Sequence, residues 1–68
     1  MVILNAWLEK SDGSTFRLGS FLKVRKAVRA GEAYAGSSVA SFTDNCWDGE
    51  VAFTFYLENG DKITVMGW

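Results

Sequence analysis

Strict alternation of apolar with smaller or polar side chains marks residues 51–57 as a strand that buries one face. The apolar positions are Val51, Phe53, Phe55 and Leu57. A repeat of two residues is typical of β-strands. Asp48-Gly49 comes before this run and Asn59-Gly60 follows it, and both dipeptides are strong signals for hairpin turns. The pattern therefore predicts the middle strand of an antiparallel meander, with a partner strand on each side.

Two strands are predicted at the start of the chain, joined by a tight turn. Residues 2–9 alternate, and residues 15–18 form a short second strand. A shift of one residue in the pairing would turn every side chain to the other face, so the loop length decides the register. A three-residue loop at 11–13 keeps apolar residues opposite one another. It pairs Leu8 with Phe16 and Ala6 with Leu18.

The same argument sets the register of the two later hairpins. A three-residue loop at 58–60 avoids placing two carboxylates opposite each other and keeps apolar residues together. It pairs Phe55 with Ile63 and Phe53 with Val65. A two-residue loop at 48–49 is predicted for the hairpin before it. That loop pairs Cys46 with Val51 and Phe42 with Phe55. The Cys46 thiol is therefore expected on the buried face, where a thiol is inert.

One amphipathic helix is predicted between the first hairpin and the meander. Its apolar stripe has helical spacing and consists of Phe21, Val24, Ala27 and Val28. Ser20 is expected to cap the first turn, and Gly31 is expected to end the helix, with Arg29 in the last turn. Residues 32–38 are predicted to be a connection, and residues 39–46 the third strand.

The predicted element order is ββαβββ, an α+β fold in which an antiparallel sheet of about five strands carries one helix on one face. Residues 1–68 are expected to form a single compact domain. The sequence contains no apolar run of the length that a membrane span needs. No basic leader precedes the first predicted strand, and a single cysteine favours a reducing environment. We therefore expect a cytoplasmic protein that does not enter a membrane.

The residue inventory argues against catalysis and against a bound cofactor. The sequence has no histidine and one cysteine, so the usual general base is missing and a Cys/His zinc site cannot be built. The seven glycines form no phosphate-binding loop. Asp44, Asp48 and Glu50 lack the spacing of a calcium loop. We expect no enzymatic activity, no cofactor and no metal site.

Charge is distributed unevenly, although the net charge is only -1. Residues 1–31 hold six cations and two carboxylates, whereas residues 32–68 hold one cation and six carboxylates. Four of the cations lie on the predicted helix, opposite its apolar stripe, and are candidate partner-binding residues. They are Lys23, Arg25, Lys26 and Arg29. They form either a solvated helix face without a partner or a contact surface for phosphates or for an acidic protein.

Aromatic residues outside the expected core supply two further candidates. Trp47 and Asp48 lie at a predicted hairpin tip, and tryptophan is enriched at interface hot spots. The alternative is that Trp47 folds back over the sheet edge. A second group is expected on the sheet face away from the helix, where it would favour a homodimer or a protein partner unless the 32–38 connection covers it. Its members are Trp7, Tyr56, Met66 and Trp68.

The order of elements resembles that of small phage-encoded anti-CRISPR proteins. The resemblance lies in a compact chain with an N-terminal strand, the basic helix SFLKVRKAVRAG (20–31) and a tight-turned meander that ends in YLENGDKITVMGW (56–68). Among these proteins it is most similar to those that block type I surveillance complexes. The resemblance implies a non-enzymatic inhibitor that binds a host nucleic-acid-handling complex and blocks it by occlusion. It transfers no individual functional residue.

Three hypotheses of different classes follow for the function. The leading one is a protein-binding module of the inhibitor type, acting in the cytoplasm of a host cell. The second is a small nucleic-acid-binding protein that uses the basic helix, against which the acidic pI of about 5.1 counts. The third is a structural homo-oligomer that joins through the outward aromatic residues.

Overall fold

The computed structural model describes residues 3–46 and 50–67. Within them, five strands form one antiparallel sheet with the spatial order β2-β1-β5-β4-β3. The elements are β1 (Leu4–Glu9), β2 (Thr15–Phe21), α1 (Val24–Ala35), β3 (Val39–Asp44), β4 (Val51–Leu57) and β5 (Lys62–Gly67). The predicted α+β fold, with the order ββαβββ and one helix, is confirmed.

β4 is the middle strand of a meander, as its alternating pattern predicts. It pairs with β3 on one side and with β5 on the other. Three predicted pairs are confirmed, namely Phe55 with Ile63, Phe53 with Val65, and Phe42 with Phe55. The described β3–β4 ladder ends with Asp44 opposite Phe53. It therefore stops before the predicted pair of Cys46 and Val51, and the predicted turn at 48–49 lies outside the described residues.

The first hairpin contains a β-bulge that the sequence pattern does not reveal. Leu8 lies opposite Phe16 as predicted, but Ala6 pairs with Gly19 instead of Leu18. One extra residue is inserted in β2 at this point, and Gly19 adopts a φ of +127°, which glycine tolerates because it has no Cβ. The bulge allows β2 to continue to Phe21, beyond the predicted end of the strand.

The helix begins later than predicted because β2 continues through its expected first turn. Ser20, the predicted cap, lies in β2, where its hydroxyl donates to Asn5 Oδ1 (3.1 Å). Phe21 lies in the same strand, opposite Leu4. Lys23 occupies the N-cap position in an extended conformation and makes no side-chain capping hydrogen bond. The prediction of a Ser20 cap is therefore wrong.

The helix also ends later than predicted, because Gly31 serves packing and not termination. A Cβ at Gly31 would lie 2.7 Å from Ile63 Cγ1, so only glycine lets the helix approach β5 this closely. The helix ends at Gly36, whose φ of +67° gives a left-handed C-cap. Residues 32–35 are therefore helical and not part of a connection, and Arg29 lies in the middle of the helix.

The core lies between α1 and the strands beneath it. Its buried apolar residues are Leu4, Ala6, Leu8, Ala27, Phe55, Leu57, Ile63 and Val65. The helix packs mainly on β2, β1 and β5. β3 and the outer part of β4 extend beyond it, and every β3 residue after Val39 is exposed. One helix therefore covers only part of its side of the sheet.

A buried carboxylate ties the two hairpin loops together at one end of the sheet. Asp61 is 2% exposed. Its Oδ1 accepts a hydrogen bond from the Ser11 N–H (2.9 Å), and its Oδ2 accepts one from Asn59 Nδ2 (3.1 Å). A buried carboxylate needs such donors to offset its lost hydration. Asp61 therefore has a structural role, holding the loop between β1 and β2 against the loop between β4 and β5.

Candidate binding surface

The four predicted helix cations form one continuous exposed surface, which we call the basic face. It consists of Lys23, Arg25, Lys26 and Arg29, all exposed. In the two described ranges, none of their side chains makes a hydrogen bond to another residue. The opposite side of α1 packs on the sheet through Val24, Ala27, Val28, Gly31 and Ala35. The basic face therefore points away from the core and is free to contact a partner.

The basic face lies where the helix dipole opposes positive charge. Lys23 is the N-cap residue, Arg25 and Lys26 lie in the first turn, and that turn contains no acidic residue. The N-terminal end of a helix carries partial positive charge, and a cation there is unfavourable by about 0.3–1 kcal/mol. Stability of the helix alone would favour Asp, Glu or Ser at these positions. The cations therefore reduce the stability of the element that carries them.

Two contacts fix the rotation of α1 on the sheet. Glu32 Oε2 accepts a hydrogen bond from the backbone N–H that opens β3 (3.0 Å). On the other side, the Tyr34 ring lies 5.6 Å from the Phe16 ring of β2. One flank of the helix therefore faces β3 and the other faces β2. Residues three or seven apart share one side of a helix, so Arg29 and Arg25, three and seven residues before Glu32, belong to the β3 flank.

Three phenylalanine rings lie on the helix side of β3 and β4, and we call them the aromatic floor. They are Phe42, Phe53 and Phe55. The Phe42 and Phe55 ring centroids are 5.7 Å apart, and those of Phe53 and Phe55 are 5.9 Å apart. Phe55 is buried, but Phe42 is 62% exposed. Residue alternation places Phe42 on the side of the core, whereas its exposure shows that α1 does not cover it.

The predicted hairpin-tip site is described only at its base. Trp47 and Asp48 lie outside the described residues, so their role stays a prediction. Asp44 Oδ1 accepts the Cys46 N–H (3.0 Å). The thiol and the backbone N–H of Cys46, both beside this carboxylate, lower the pKa of Asp44. Glu50 is also exposed.

The environment of Cys46 corrects one expectation from the sequence. Cys46 was expected on a buried face, but it is exposed, because α1 does not reach this end of the meander. The thiol donates a hydrogen bond to the Ala52 carbonyl (3.8 Å), and the adjacent Asp44 carboxylate raises the pKa of the thiol. Since the thiolate is the reactive form, the neighbouring carboxylate disfavours a nucleophilic role for Cys46.

The opposite face of the sheet carries no helix in the part of the chain that the structure describes. Trp7 is half-buried there, and Tyr56 and Met66 are partly exposed, as predicted. Trp68, the remaining member of the predicted group, lies outside the described residues. Lys62 Nζ is 5.9 Å from the centroid of the Tyr56 ring. The face therefore mixes aromatic residues with polar ones.

A polar cluster occupies the β1–β2 side of the same face. Arg17 Nη2 donates to Asn5 Oδ1 (2.8 Å), and the Ser20 hydroxyl donates to the same oxygen (3.1 Å). Arg17 Nη2 also donates to Ser20 Oγ (3.3 Å). These bonds hold the guanidinium of Arg17 against the sheet, so it is less available to a partner than the cations of the basic face.

Two aromatic features could not be predicted from the sequence. Residue alternation indicates which face of the sheet a side chain lies on, but it does not indicate whether the helix covers that side chain. Phe42 was predicted only to pair with Phe55, and that pairing gives no information on how far the helix extends. The exposed pair of Phe16 and Tyr34 was missed because Tyr34 was assigned to a connection. A comparison of the width of the predicted five-stranded sheet with the diameter of one helix would have indicated that part of the sheet face is left uncovered.

Comparisons of the chain with protein-family models, curated proteins and solved structures found no match. Among the described residues, no three His, Cys, Asp or Glu side chains are grouped so that they could hold a metal ion. The described helix is too short and too polar to cross a membrane.

Proposed function

We propose that this protein is a non-enzymatic protein-binding module that holds an acidic surface of its partner with the basic face of α1. The observation that carries the proposal is the position of the cations. They are exposed, they make no hydrogen bonds within the described residues, and three of them lie at the end of the helix where the dipole opposes them. A role in binding explains why charges that weaken the helix are gathered there.

The narrower form of the proposal is an inhibitor of a host nucleic-acid-handling complex. The resemblance to anti-CRISPR proteins supports this form, together with the small size of the domain, 7.5 kDa. Such a domain would act in the host cytoplasm by covering a surface that another ligand needs. Electrostatic complementarity would speed the encounter and exclude partners of the wrong charge.

The test is partner capture with a charge-reversed bait. Replacing Lys23, Arg25, Lys26 and Arg29 together by Glu removes the basic face without touching the core. We expect capture from a host lysate to be abolished, measured by affinity pull-down with mass spectrometry. Circular dichroism checks that the helix is retained. Lys10→Glu, a single reversal in the loop between β1 and β2, serves as the control and should capture normally. Unchanged capture by the reversed bait would contradict the proposal.

A second candidate function, binding of single-stranded or duplex nucleic acid, is favoured by the same four exposed cations. Binding through phosphates would make log K fall linearly with log salt concentration, with a slope set by the number of phosphates neutralised. The exposed carboxylates Asp44 and Glu50 count against a long phosphate track. Titration of the isolated chain with labelled DNA and RNA at low salt decides the matter, because absence of binding there removes this candidate.

A further inference from the structure

The sheet is wider than the one helix that the described residues provide. Five strands spaced about 4.8 Å apart give a sheet roughly 20–24 Å wide. An α-helix with its side chains is about 10–12 Å across. α1 lies mainly above β2, β1 and β5, which are three of the five strands. A strip about one helix wide therefore remains on the same face, above β4 and β3.

The floor of this strip is apolar, unlike an ordinary solvated sheet surface. Its residues are the exposed Phe42, the half-buried Val51 and Phe53, and Phe55, whose ring is buried in the core. The exposure of Phe42, 62%, is high for a phenylalanine on the core side of a sheet. The strip is bounded on one side by the flank of α1 that carries Arg25 and Arg29, and on the other by the open edge of β3. We call this space the helix slot.

We propose that the helix slot receives an amphipathic α-helix from the protein partner, with its apolar stripe on the aromatic floor and its carboxylates against Arg25 and Arg29. The inference rests on the proposed function and names the element by which the acidic partner is held. An apolar helix face laid into a groove is a recurrent mode of peptide recognition. The slot is wide enough for one helix, and the cations of α1 favour a helix that carries negative charge.

A second copy of the chain is a poor occupant of the slot. The helix of a second copy presents its basic face to solvent, so insertion would press Lys26 and Arg29 onto phenylalanine rings. The same insertion would bring the cations of the two α1 helices together, a like-charge contact that opposes association. The occupant must therefore carry an apolar stripe and acidic residues, and the described surface of this chain offers no such helix.

The test uses two helix-stabilised synthetic peptides with the same leucine stripe. One carries Glu along the flank next to the stripe, and the other carries Lys at the same positions. We expect the Glu peptide to bind the full chain and to shift the backbone resonances of β3 and β4 in NMR titration, whereas the Lys peptide does not bind. Phe42→Ser should lower the affinity for the Glu peptide at least about tenfold, as loss of a buried aromatic anchor does.

Matched variants distinguish binding of the peptide in the helix slot from nonspecific binding of the peptide to the protein. Tyr34→Ser removes an aromatic ring of similar exposure from the β2 flank, and it should leave the affinity unchanged. Arg25→Glu with Arg29→Glu should abolish the preference for the Glu peptide. If Phe42→Ser leaves peptide binding intact while reversal of the basic face still abolishes partner capture, the inference fails and the proposed function stands. If reversal leaves capture unchanged, the proposed function fails.

Three further results would overturn the inference. The first is that the Glu peptide does not bind. The second is self-association of the wild-type chain that Phe42→Ser removes in sedimentation, which would make a second copy the occupant. The third is a set of through-space NMR contacts between the rings of Trp47 and Phe42 in the free chain, because the protein's own turn would then cover the floor.

Discussion

Gly31 illustrates how one residue can decide the distance between a helix and a sheet. Glycine is the poorest helix former apart from proline, and alanine is favoured by about 1 kcal/mol in a helix interior. Here a Cβ would lie 2.7 Å from Ile63 Cγ1 and 3.2 Å from Leu18 Cδ1. Both neighbours belong to the packed interface between α1 and the sheet, so neither side chain can move away freely.

Gly31→Ala should therefore destabilise the protein despite the better helix propensity of alanine. We expect a net loss of about 1–3 kcal/mol in the free energy of unfolding, the usual cost of overpacking, measured by urea denaturation. Ala33→Gly, at an exposed position of the same helix, should cost about 1 kcal/mol through propensity alone. An increase in stability of Gly31→Ala would contradict the packing role.

The pair of Asp44 and Cys46 gives a second prediction at this scale. The carboxylate raises the pKa of the exposed thiol, so Asp44→Asn should lower it and increase the thiolate fraction at pH 8. The rate of alkylation by iodoacetamide should rise by roughly two- to threefold, because a less basic thiolate is also a weaker nucleophile. Glu50→Gln, which removes another exposed carboxylate near the same turn, should change the rate less. Equal rates for wild type and Asp44→Asn would show that the carboxylate does not control the pKa of the thiol.

The strands could be predicted from the sequence because their signals are local. Alternation and turn dipeptides determined β4 and its register with β5, since both depend on neighbouring residues. The ends of α1 could not be predicted in the same way. A glycine selected for close packing and a glycine selected for positive φ look identical in a sequence, so Gly31 was taken for the terminus that Gly36 provides.

The two bulges were missed for a related reason. One extra residue lies in β2, opposite the step from Ala6 to Trp7 in β1. The other lies in β3, between Val39 and Ser41. A bulge is specified by the whole sheet and not by a residue type. The exposure of the four cations of the basic face was predicted correctly, because it follows from the helical repeat alone. The proposed partner of this face cannot be inferred from the helical repeat.

Lys23 allows the proposed conflict between the stability of α1 and its role in binding to be measured. Lys23→Asp places a capping carboxylate at the N-cap and removes an unfavourable charge from the positive end of the dipole. We expect the free energy of unfolding to rise by about 1 kcal/mol, while partner capture weakens. Arg29→Asp makes the same charge change in mid-helix and should not stabilise the protein. A decrease in stability for Lys23→Asp would mean that the lysine has a structural contact after all.

The described residues leave two different surfaces of the molecule uncovered, one on each side of the sheet. On the helix side, the floor of the slot is aromatic. On the opposite side, the cross-strand pair of Thr54 and Thr64 separates Tyr56 from Trp7 and Met66. Hydroxyl-bearing side chains at the centre of that face interrupt what would otherwise be a continuous apolar patch of the kind that drives association.

We therefore expect the wild-type chain to be monomeric, with the opposite face kept apart from other copies by its threonines. Replacing Thr54 and Thr64 together by Leu would join Trp7, Met66 and Tyr56 into one apolar surface across the central strands. Sedimentation velocity at increasing concentration should show a monomer for the wild type and a dimer for this variant. Thr43→Leu, a similar change on the edge strand β3, should stay monomeric because it leaves the centre polar. A wild-type dimer that Tyr56→Ser dissociates would assign the opposite face to self-association, and the acidic partner would then have to bind a dimer whose basic faces point outward.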